Sequence, residues 1–284
     1  MEMLSYGFMQ KALLACLLLG LVSAVAGFFV VLKRLSFIGA GISHSAFGGV
    51  ALGLVTGLNP LATAGVFALL VAVCLGWISH RGFMSEDTAI GIFFSGAMAF
   101  GIALLSFGNG YYGDAMSYLF GNVLAVSTGD LWLLAGAGAL VLLFLLGTFK
   151  ALLCLCFDEE LAYAAGLPVE LLYYGLMAAI ALTVVVAGKT VGIVLASAVL
   201  VTPAATGYQL SKSYRGMLGI AVVTGLLSSL AGLWLSYRYG LASGAAIVLC
   251  ATAIFLLSFL FSPRRKVLSF KKEKESAIRE KTTG

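Results

Sequence analysis

The sequence predicts an all-α polytopic membrane protein with eight or nine transmembrane helices. Of its 284 residues, 61% are hydrophobic and only 10% are charged, whereas soluble domains have about 45–50% apolar and about 25% charged residues. Several uninterrupted apolar runs reach the roughly 20 residues that a helix needs to cross a bilayer. These runs lack the two-residue alternation of a membrane β-barrel. The composition therefore excludes a soluble enzyme, a disordered chain and a disulfide-stabilised secreted module.

Nine apolar segments are candidate transmembrane helices, and together they form one predicted membrane domain over residues 1–262. They cover residues 12–32, 37–56, 61–79, 88–107, 131–149, 171–188, 190–210, 217–236 and 243–262. The sixth and seventh segments meet at Gly188–Thr190 with almost no loop, so eight spans remain possible. The first segment is not expected to be a cleavable signal, because its apolar run is too long and Lys33 and Arg34 follow it.

The distribution of Lys and Arg predicts how the spans are oriented, because basic residues accumulate on the cytoplasmic side. Placing the C-terminus inside puts 14 of the 17 basic residues on that side. With nine spans, the N-terminus then lies outside. The segment 109–130, rich in Gly, Tyr and Ser, is external, and its amphipathic part, Ser117–Val126, is predicted to be an interfacial or re-entrant helix.

The last part of the chain, residues 263–284, is predicted to be a basic cytoplasmic tail. Arg264–Lys281 contains eight Lys or Arg and three Glu, which accounts for the whole net charge of +5. A solvated anchor near anionic headgroups is the simplest interpretation of such a segment. Membrane lipids are therefore its expected partner, rather than nucleic acid.

Carboxylates are missing from every predicted span. Ion-coupled secondary transporters usually keep a buried Asp or Glu, because a charge inside the membrane is costly and is retained for function. The absence weakens the interpretation as a secondary transporter of a small solute without excluding it.

Gly188–Thr190 resembles the end of a phosphate-binding loop but lacks its earlier glycine and lies outside. No catalytic residue and no permanently bound cofactor are predicted, and any ATP hydrolysis is assigned to a partner chain.

His44 is the one ionisable residue well inside a predicted span. At about 1.5 Å per residue, it lies roughly 10 Å in from the Lys33–Arg34 end. Gly41 and Gly48 lie on the same helix face and would allow a close neighbour or a narrow passage. Neutral imidazole is a suitable ligand for zinc, manganese or iron. His44 is therefore either a metal ligand on a transport pathway or a packing histidine bonded to a neighbouring carbonyl group.

The cytoplasmic stretch from Asp158 to Pro168 carries the clearest loop signal. Asp158 is a good helix N-cap, and Glu159 and Glu160 oppose the positive end of the helix dipole. Gly166 can supply the left-handed residue that ends a helix, and Pro168 prevents its continuation. The predicted structure is a helix of about two turns parallel to the membrane. It either docks another protein or is a solvated loop.

Twelve sites along the chain carry a resemblance: Phe8–Leu13, Val31–Arg34, Gly39, Ser43, His44, Ser45, Glu86–Ile92, Tyr118–Leu124, Phe157–Ala162, Ala165–Pro168, Val191–Leu195 and Thr202–Thr206. The resemblance, taken in order over roughly residues 8–262, is to the membrane permease of zinc/manganese ABC importers. It implies a homodimeric permease of a prokaryotic cell membrane, two cytoplasmic ATPase subunits and an extracytoplasmic metal-binding protein. It also implies that the ATPase-coupling loop contains Asp158, Glu159, Glu160, Leu161, Ala162 and Gly166.

The chain departs from the pattern of this family at Ala40. The family motif has an Asp four residues before the histidine, and the two side chains would share one helix face as a mixed oxygen and nitrogen site. The resemblance implies that His44 is a metal ligand of the pathway, although the carboxylate is missing. The pathway then binds its ion less tightly, uses water or carbonyl groups, or pairs His44 across a dimer. Loss of the oxygen ligand slightly favours zinc over manganese or iron as the transported ion.

Overall fold

The computed structural model describes residues 7–107 and 112–262, and all regular structure in these ranges is helical. They form α1 (Gly7–Leu32), α2 (Ile38–Thr56), α3 (Pro60–His80), α4 (Glu86–Phe107), α5 (Tyr112–Phe120), α6 (Thr128–Gly147), α7 (Phe149–Phe157), α8 (Glu159–Ala164), α9 (Val169–Val191), α10 (Ile193–Leu210), α11 (Tyr214–Tyr239) and α12 (Ser243–Leu260). A 3-10 turn, Val123–Ala125, separates α5 from α6. The predicted basic tail lies outside the described residues.

Nine helices in the described ranges are long and apolar enough to cross a membrane, which confirms the predicted fold class. They are α1 to α4, α6 and α9 to α12. The sixth and seventh predicted spans are two separate helices, because the helical conformation is interrupted at Gly192 between α9 and α10. Gly192 has a φ of 101°, a conformation that a residue with a side chain rarely adopts. The break therefore favours nine spans over eight.

The break at Gly192 packs against a second glycine turn at the end of α5. Gly121 has a φ of 65°, and a Cβ atom on it would overlap the backbone of Val191 and Gly192. A Cβ atom on Gly192 would in turn overlap the backbone of Phe120. The predicted interfacial or re-entrant helix over Ser117–Val126 is thus the end of α5 followed by the 3-10 turn. It is held to α9 and α10 through direct backbone contact.

The most buried spans are α1, α2 and α9, whereas α3, α4, α6 and α12 leave much of their apolar surface exposed. Glycine allows the central helices to approach closely, as small residues do in membrane helix packing. A Cβ atom on Gly20 of α1 would lie 2.9 Å from the carbonyl oxygen of Gly225 on α11. One on Gly49 of α2 would lie 2.7 Å from the Cα atom of Ala64 on α3. The high glycine content is therefore used in helix contacts.

A short helix that the sequence analysis does not predict, α7, continues the chain after α6. Thr148 separates the two helices, and the Thr148 hydroxyl donates to the carbonyl of Phe144 at 2.6 Å. The Phe149 ring packs against Phe28 and Phe29 of α1, with centroid distances of 5.8 and 5.4 Å. These contacts fix the direction of α7 and so position α8.

Candidate functional site

His44 lies half-buried on α2, and one of its ring nitrogens is already bound. Nδ1 is 3.0 Å from the carbonyl oxygen of Ala40. Because a carbonyl oxygen can only accept, Nδ1 carries a proton, and in the neutral imidazole Nε2 then keeps its lone pair. Metal-binding histidines usually have this arrangement, in which the second N–H donates to a carbonyl or carboxylate. The hydrogen bond to a backbone carbonyl group that is expected of a packing histidine is present. The same hydrogen bond leaves His44 in the tautomer that can bind a metal.

The two serines beside His44 fix α2 between its neighbours. The Ser43 hydroxyl donates to the carbonyl of Ile193, the first residue of α10 after the break. The Ser45 hydroxyl donates to the carbonyl of Phe93 on α4 at 3.3 Å. The ring of Phe94 packs on the imidazole of His44, with centroids 4.3 Å apart. The imidazole therefore sits in a rigid frame next to irregular backbone, a combination typical of transporter pathways.

The frame around His44 does not contain a complete metal site made by this chain. In residues 7–107 and 112–262, no group of three or more His, Cys, Asp or Glu side chains could hold a metal ion. Ala40 contributes only a carbonyl group, and that group already accepts from His44. Within the described residues, His44 is therefore a single imidazole that belongs to no cluster of three or more ligating side chains.

An ion pair joins α9 and α6 at the end of the bundle that the sequence predicts to be external. Lys189 binds the carboxylate of Asp130, which also accepts from the Ser127 N–H at 3.0 Å in a helix-capping box. This pair lines an open cavity of about 480 Å³ together with Leu54, Ser117, Tyr118, Asn122, Ala125 and Val126. Lys189 and Asp130 are both predicted to be external, but the sequence does not predict that they pair, because no local pattern connects residues that far apart.

The stretch from Asp158 to Gly166 forms the predicted short helix, α8, with both predicted ends. The Asp158 carboxylate accepts from the N–H of Leu161 at 3.0 Å. Gly166 has a φ of 73°, and the next N–H, that of Leu167, donates to the carbonyl of Ala162 at 3.1 Å. This bond closes the turn that ends many helices at a glycine. With six residues, α8 is slightly shorter than the two turns predicted.

The two faces of α8 have different surroundings. Ala162 is completely buried against the bundle. Leu161 and Tyr163 are 59% and 77% exposed, and Phe157, just before α8, is 71% exposed. Together with the exposed Glu160, these three side chains form what we call the α8 outer face. Exposed apolar side chains grouped at one end of a helix bundle mark an interaction surface.

The carboxylate of Glu159 contacts side chains at the C-terminal ends of α1 and α3. Its Oε2 atom is 2.7 Å from Nζ of Lys33, and its Oε1 atom is 3.1 Å from Nε2 of His80. Capping and resemblance predict that Glu159 belongs to the coupling loop. Lys33 and His80 are not predicted to be functional residues, because these contacts join distant parts of the chain.

A helix bundle with discontinuous helices beside a polar intramembrane side chain is the architecture of a membrane transport permease. The chain belongs to the ABC 3 transport family, whose model matches residues 5–262. It is therefore a multi-pass permease subunit of the bacterial ABC transport type, in which ATP hydrolysis belongs to a separate subunit. This result confirms the predicted family and leaves the secondary-transporter interpretation without support.

Curated relatives and a solved structure cover nearly the whole chain. The chain is 41% identical over 268 residues to the manganese transport system membrane protein MntC of Halalkalibacterium halodurans, covering 94% of this chain and 92% of that protein. It is 39% identical over 266 residues to the manganese import system permease protein ScaB of Streptococcus gordonii, covering 94% and 95%. It is also similar to PsaBC from Streptococcus pneumoniae in complex with Fab, with a TM-score of 0.83, 38% identity, and coverage of 94% of this chain and 96% of that chain.

Proposed function

We propose that this chain is the permease of an ATP-driven manganese importer. The observation that carries the proposal is that relatives matched over more than nine-tenths of the chain are named as manganese transport permeases. In this proposal a second copy of the chain completes the pathway, two ATPase subunits act from the cytoplasm, and an external metal-binding protein delivers the ion. The transported ion is a substrate and not a resident cofactor.

His44 is the proposed contact for the ion inside the membrane. Its Nδ1–H is fixed by the Ala40 carbonyl at 3.0 Å, so the Nε2 lone pair is available without any change of tautomer. A single imidazole binds weakly compared with a full ligand set, which is favourable in a pathway that must release its ion. Water, carbonyl groups or the second copy supply the remaining ligands.

Manganese and zinc make different demands on such a site. Manganese prefers oxygen ligands, whereas zinc is bound well by an imidazole nitrogen. Because Ala40 provides no carboxylate, the ligands present favour zinc. The manganese names of the relatives favour the opposite choice. We give the relatives more weight, because oxygen ligands can come from carbonyl groups or water that the sequence does not reveal.

Uptake by the complete transporter tests this function. The permease, its ATPase subunits and the metal-binding protein are reconstituted in liposomes, and radioactive manganese and zinc are offered separately and in competition. We expect uptake that requires ATP and prefers manganese. Preference for zinc would overturn the choice of ion, and uptake driven by an ion gradient without ATP would overturn the whole proposal.

The α8 outer face is the proposed docking surface for the ATPase. Phe157, Leu161 and Tyr163 offer exposed apolar contacts, and Glu160 adds a negative charge beside them. The caps at Asp158 and Gly166 hold α8 in one conformation, so docking does not require the segment to fold. The burial of Ala162 anchors the other side of α8 to the membrane domain.

Replacing Gly166 by valine is expected to weaken ATPase docking. Gly166 has a φ of 73°, and this conformation costs a residue with a side chain about 1–2 kcal/mol, or roughly 5- to 30-fold in an equilibrium. No atom lies within 4 Å of a Cβ placed there, so the effect is conformational and not steric. Copurification of the ATPase and metal-stimulated ATP hydrolysis measure it.

Gly166→Asn is the matched control, because asparagine tolerates the left-handed conformation better than valine does. The asparagine variant should keep most of the docking and the uptake. If the valine variant binds ATPase and transports manganese as well as the unmodified chain does, α8 is not the coupling element.

A further inference from the structure

We propose that Glu159 is a positioning residue that transmits movement of α8 to the inner ends of α1 and α3. The proposal rests on the proposed docking of α8 to the ATPase and adds the route by which that movement enters the membrane domain. Glu159 is the first residue of α8, and its two carboxylate oxygens contact two other helices. Oε2 binds Nζ of Lys33, just after α1, at 2.7 Å, and Oε1 binds Nε2 of His80, the last residue of α3, at 3.1 Å.

These contacts give α8 connections that the backbone does not provide. Along the chain, α8 is joined only to α7 before it and to α9 after it. Lys33 is 126 residues away from Glu159 in the sequence. The Lys33 ammonium group also lies 3.4 Å from the carbonyl oxygen of Leu155 on α7. A displacement of α8 therefore pulls directly on α1 and α3.

Further side chains extend this cluster to α9 and α4. The ring of Tyr173 on α9 lies 6.0 Å from Nζ of Lys33 and 5.4 Å from the His80 ring. Glu86, the first residue of α4, also interacts electrostatically with Lys33 and Tyr173. We call Lys33, His80, Glu86, Glu159 and Tyr173 the inner-end cluster. It brings together the cytoplasmic ends of α1, α3, α4 and α9, and Glu159 is its member on α8.

The contact with α3 leads to the helix that carries His44. Two glycines of α2, Gly49 and Gly53, pack directly against α3, and a Cβ on Gly49 would lie only 2.7 Å from the Cα of Ala64. Helices packed this closely move together, because a dense interface transmits displacement instead of absorbing it. The physical route is therefore from α8 through Glu159 and His80 to α3, and from α3 to α2 and His44.

The partial exposure of the three side chains joined by ion pairs indicates that these pairs act in coupling more than in stability. The side chains of Lys33, His80 and Glu159 are 16%, 27% and 40% exposed. Ion pairs that solvent screens in this way contribute little to folding stability. Loss of one pair should leave the bundle folded while α8 moves without pulling on α1 and α3.

The test uses the complete transporter in liposomes with manganese as the probe. The variants are Glu159→Gln, Lys33→Met and the reversed pair Lys33→Glu with Glu159→Lys. Glu170→Gln is the matched control, because Glu170 is an exposed carboxylate at the start of α9 outside the inner-end cluster. Three quantities are measured: the ATPase that copurifies, the rate of ATP hydrolysis and the manganese taken up per ATP hydrolysed.

We expect each single variant to keep its ATPase and to lose about 2- to 30-fold in uptake per ATP, the range for one element of a coupling network. The reversed pair restores an ion pair between positions 33 and 159 but not the contact with His80, so it should recover only part of that loss. Glu170→Gln should match the unmodified chain. Unchanged uptake per ATP in Glu159→Gln would overturn this proposal and leave the proposed function standing. Loss of ATPase copurification in Glu159→Gln would also overturn it, because Glu159 would then act at the docking surface. Absence of ATP-dependent uptake in the unmodified transporter would instead remove the proposed function.

Discussion

Replacing His44 by alanine is expected to lower manganese uptake by about 10- to 100-fold, because even residues that only support a metal ligand change affinity by that factor. The complex should remain folded and keep its ATPase. His44 is half-buried, and the serines on either side, which bind Ile193 and Phe93, are unchanged. Uptake by reconstituted transporter, with basal ATP hydrolysis and ATPase copurification measured in parallel, separates loss of transport from loss of structure.

His44→Gln distinguishes a metal ligand from a packing residue. The glutamine amide can still donate to the Ala40 carbonyl, so it preserves the packing bond, but it lacks the imidazole nitrogen that binds the metal. We expect the glutamine variant to transport nearly as poorly as the alanine variant. Normal uptake in His44→Gln would show that only the hydrogen bond to Ala40 matters and would remove His44 from the pathway.

The converse change, Ala40→Asp, tests the position where this chain departs from the family pattern. Ala40 is half-buried one helical turn from His44, so an aspartate there would place an oxygen ligand beside the imidazole. Tighter manganese binding with slower release is expected, measured as a lower half-saturating concentration and a lower maximal uptake. A variant indistinguishable from the unmodified chain in both measurements would place the ion away from this face of α2.

The nine spans are predictable from the sequence because each depends on a long apolar run, a signal that needs no tertiary information. The second span, predicted over residues 37–56, is Ile38–Thr56 in the structure. Short helices are less predictable, as α7 demonstrates. Its apolar sequence continues that of α6, and its separate direction depends on the packing of Phe149 against Phe28 and Phe29, which are distant in sequence.

The contacts of the candidate site are also of two kinds: some join residues close together in the sequence, and others join separate helices. The caps of α8 at Asp158 and Gly166 are predictable, because capping depends on residues three or four positions apart. The bond from His44 to the Ala40 carbonyl likewise spans one helical turn. By contrast, the contact of Ser43 with Ile193 and the two contacts of Glu159 join separate helices. Only the folded bundle reveals them.

Replacing Gly192 by alanine is expected to destabilise the whole membrane domain. A side chain at a φ of 101° and a ψ of 145°, a region nearly restricted to glycine, costs about 1–3 kcal/mol, and overpacking typically adds about 1–3 kcal/mol. The added Cβ would overlap the backbone of Phe120 and the carbonyl oxygen of Leu119, and backbone atoms in a closed turn cannot move aside as a flexible side chain can. We therefore expect a total cost of about 2–6 kcal/mol, measured as a lower midpoint of thermal unfolding in detergent.

Gly57→Ala is the comparison for a positive φ without close contacts, because Gly57 lies in the left-handed region with a φ of 72° and no atom lies within 4 Å of a Cβ placed there. It should show only the conformational cost of about 1–2 kcal/mol and a correspondingly small shift in the unfolding midpoint. If Gly192→Ala is no less stable than Gly57→Ala, the backbone contact between the turns at Gly121 and Gly192 is not close. The α9–α10 break could then move independently of α5, and the rigid frame beside His44 would lose its support on that side.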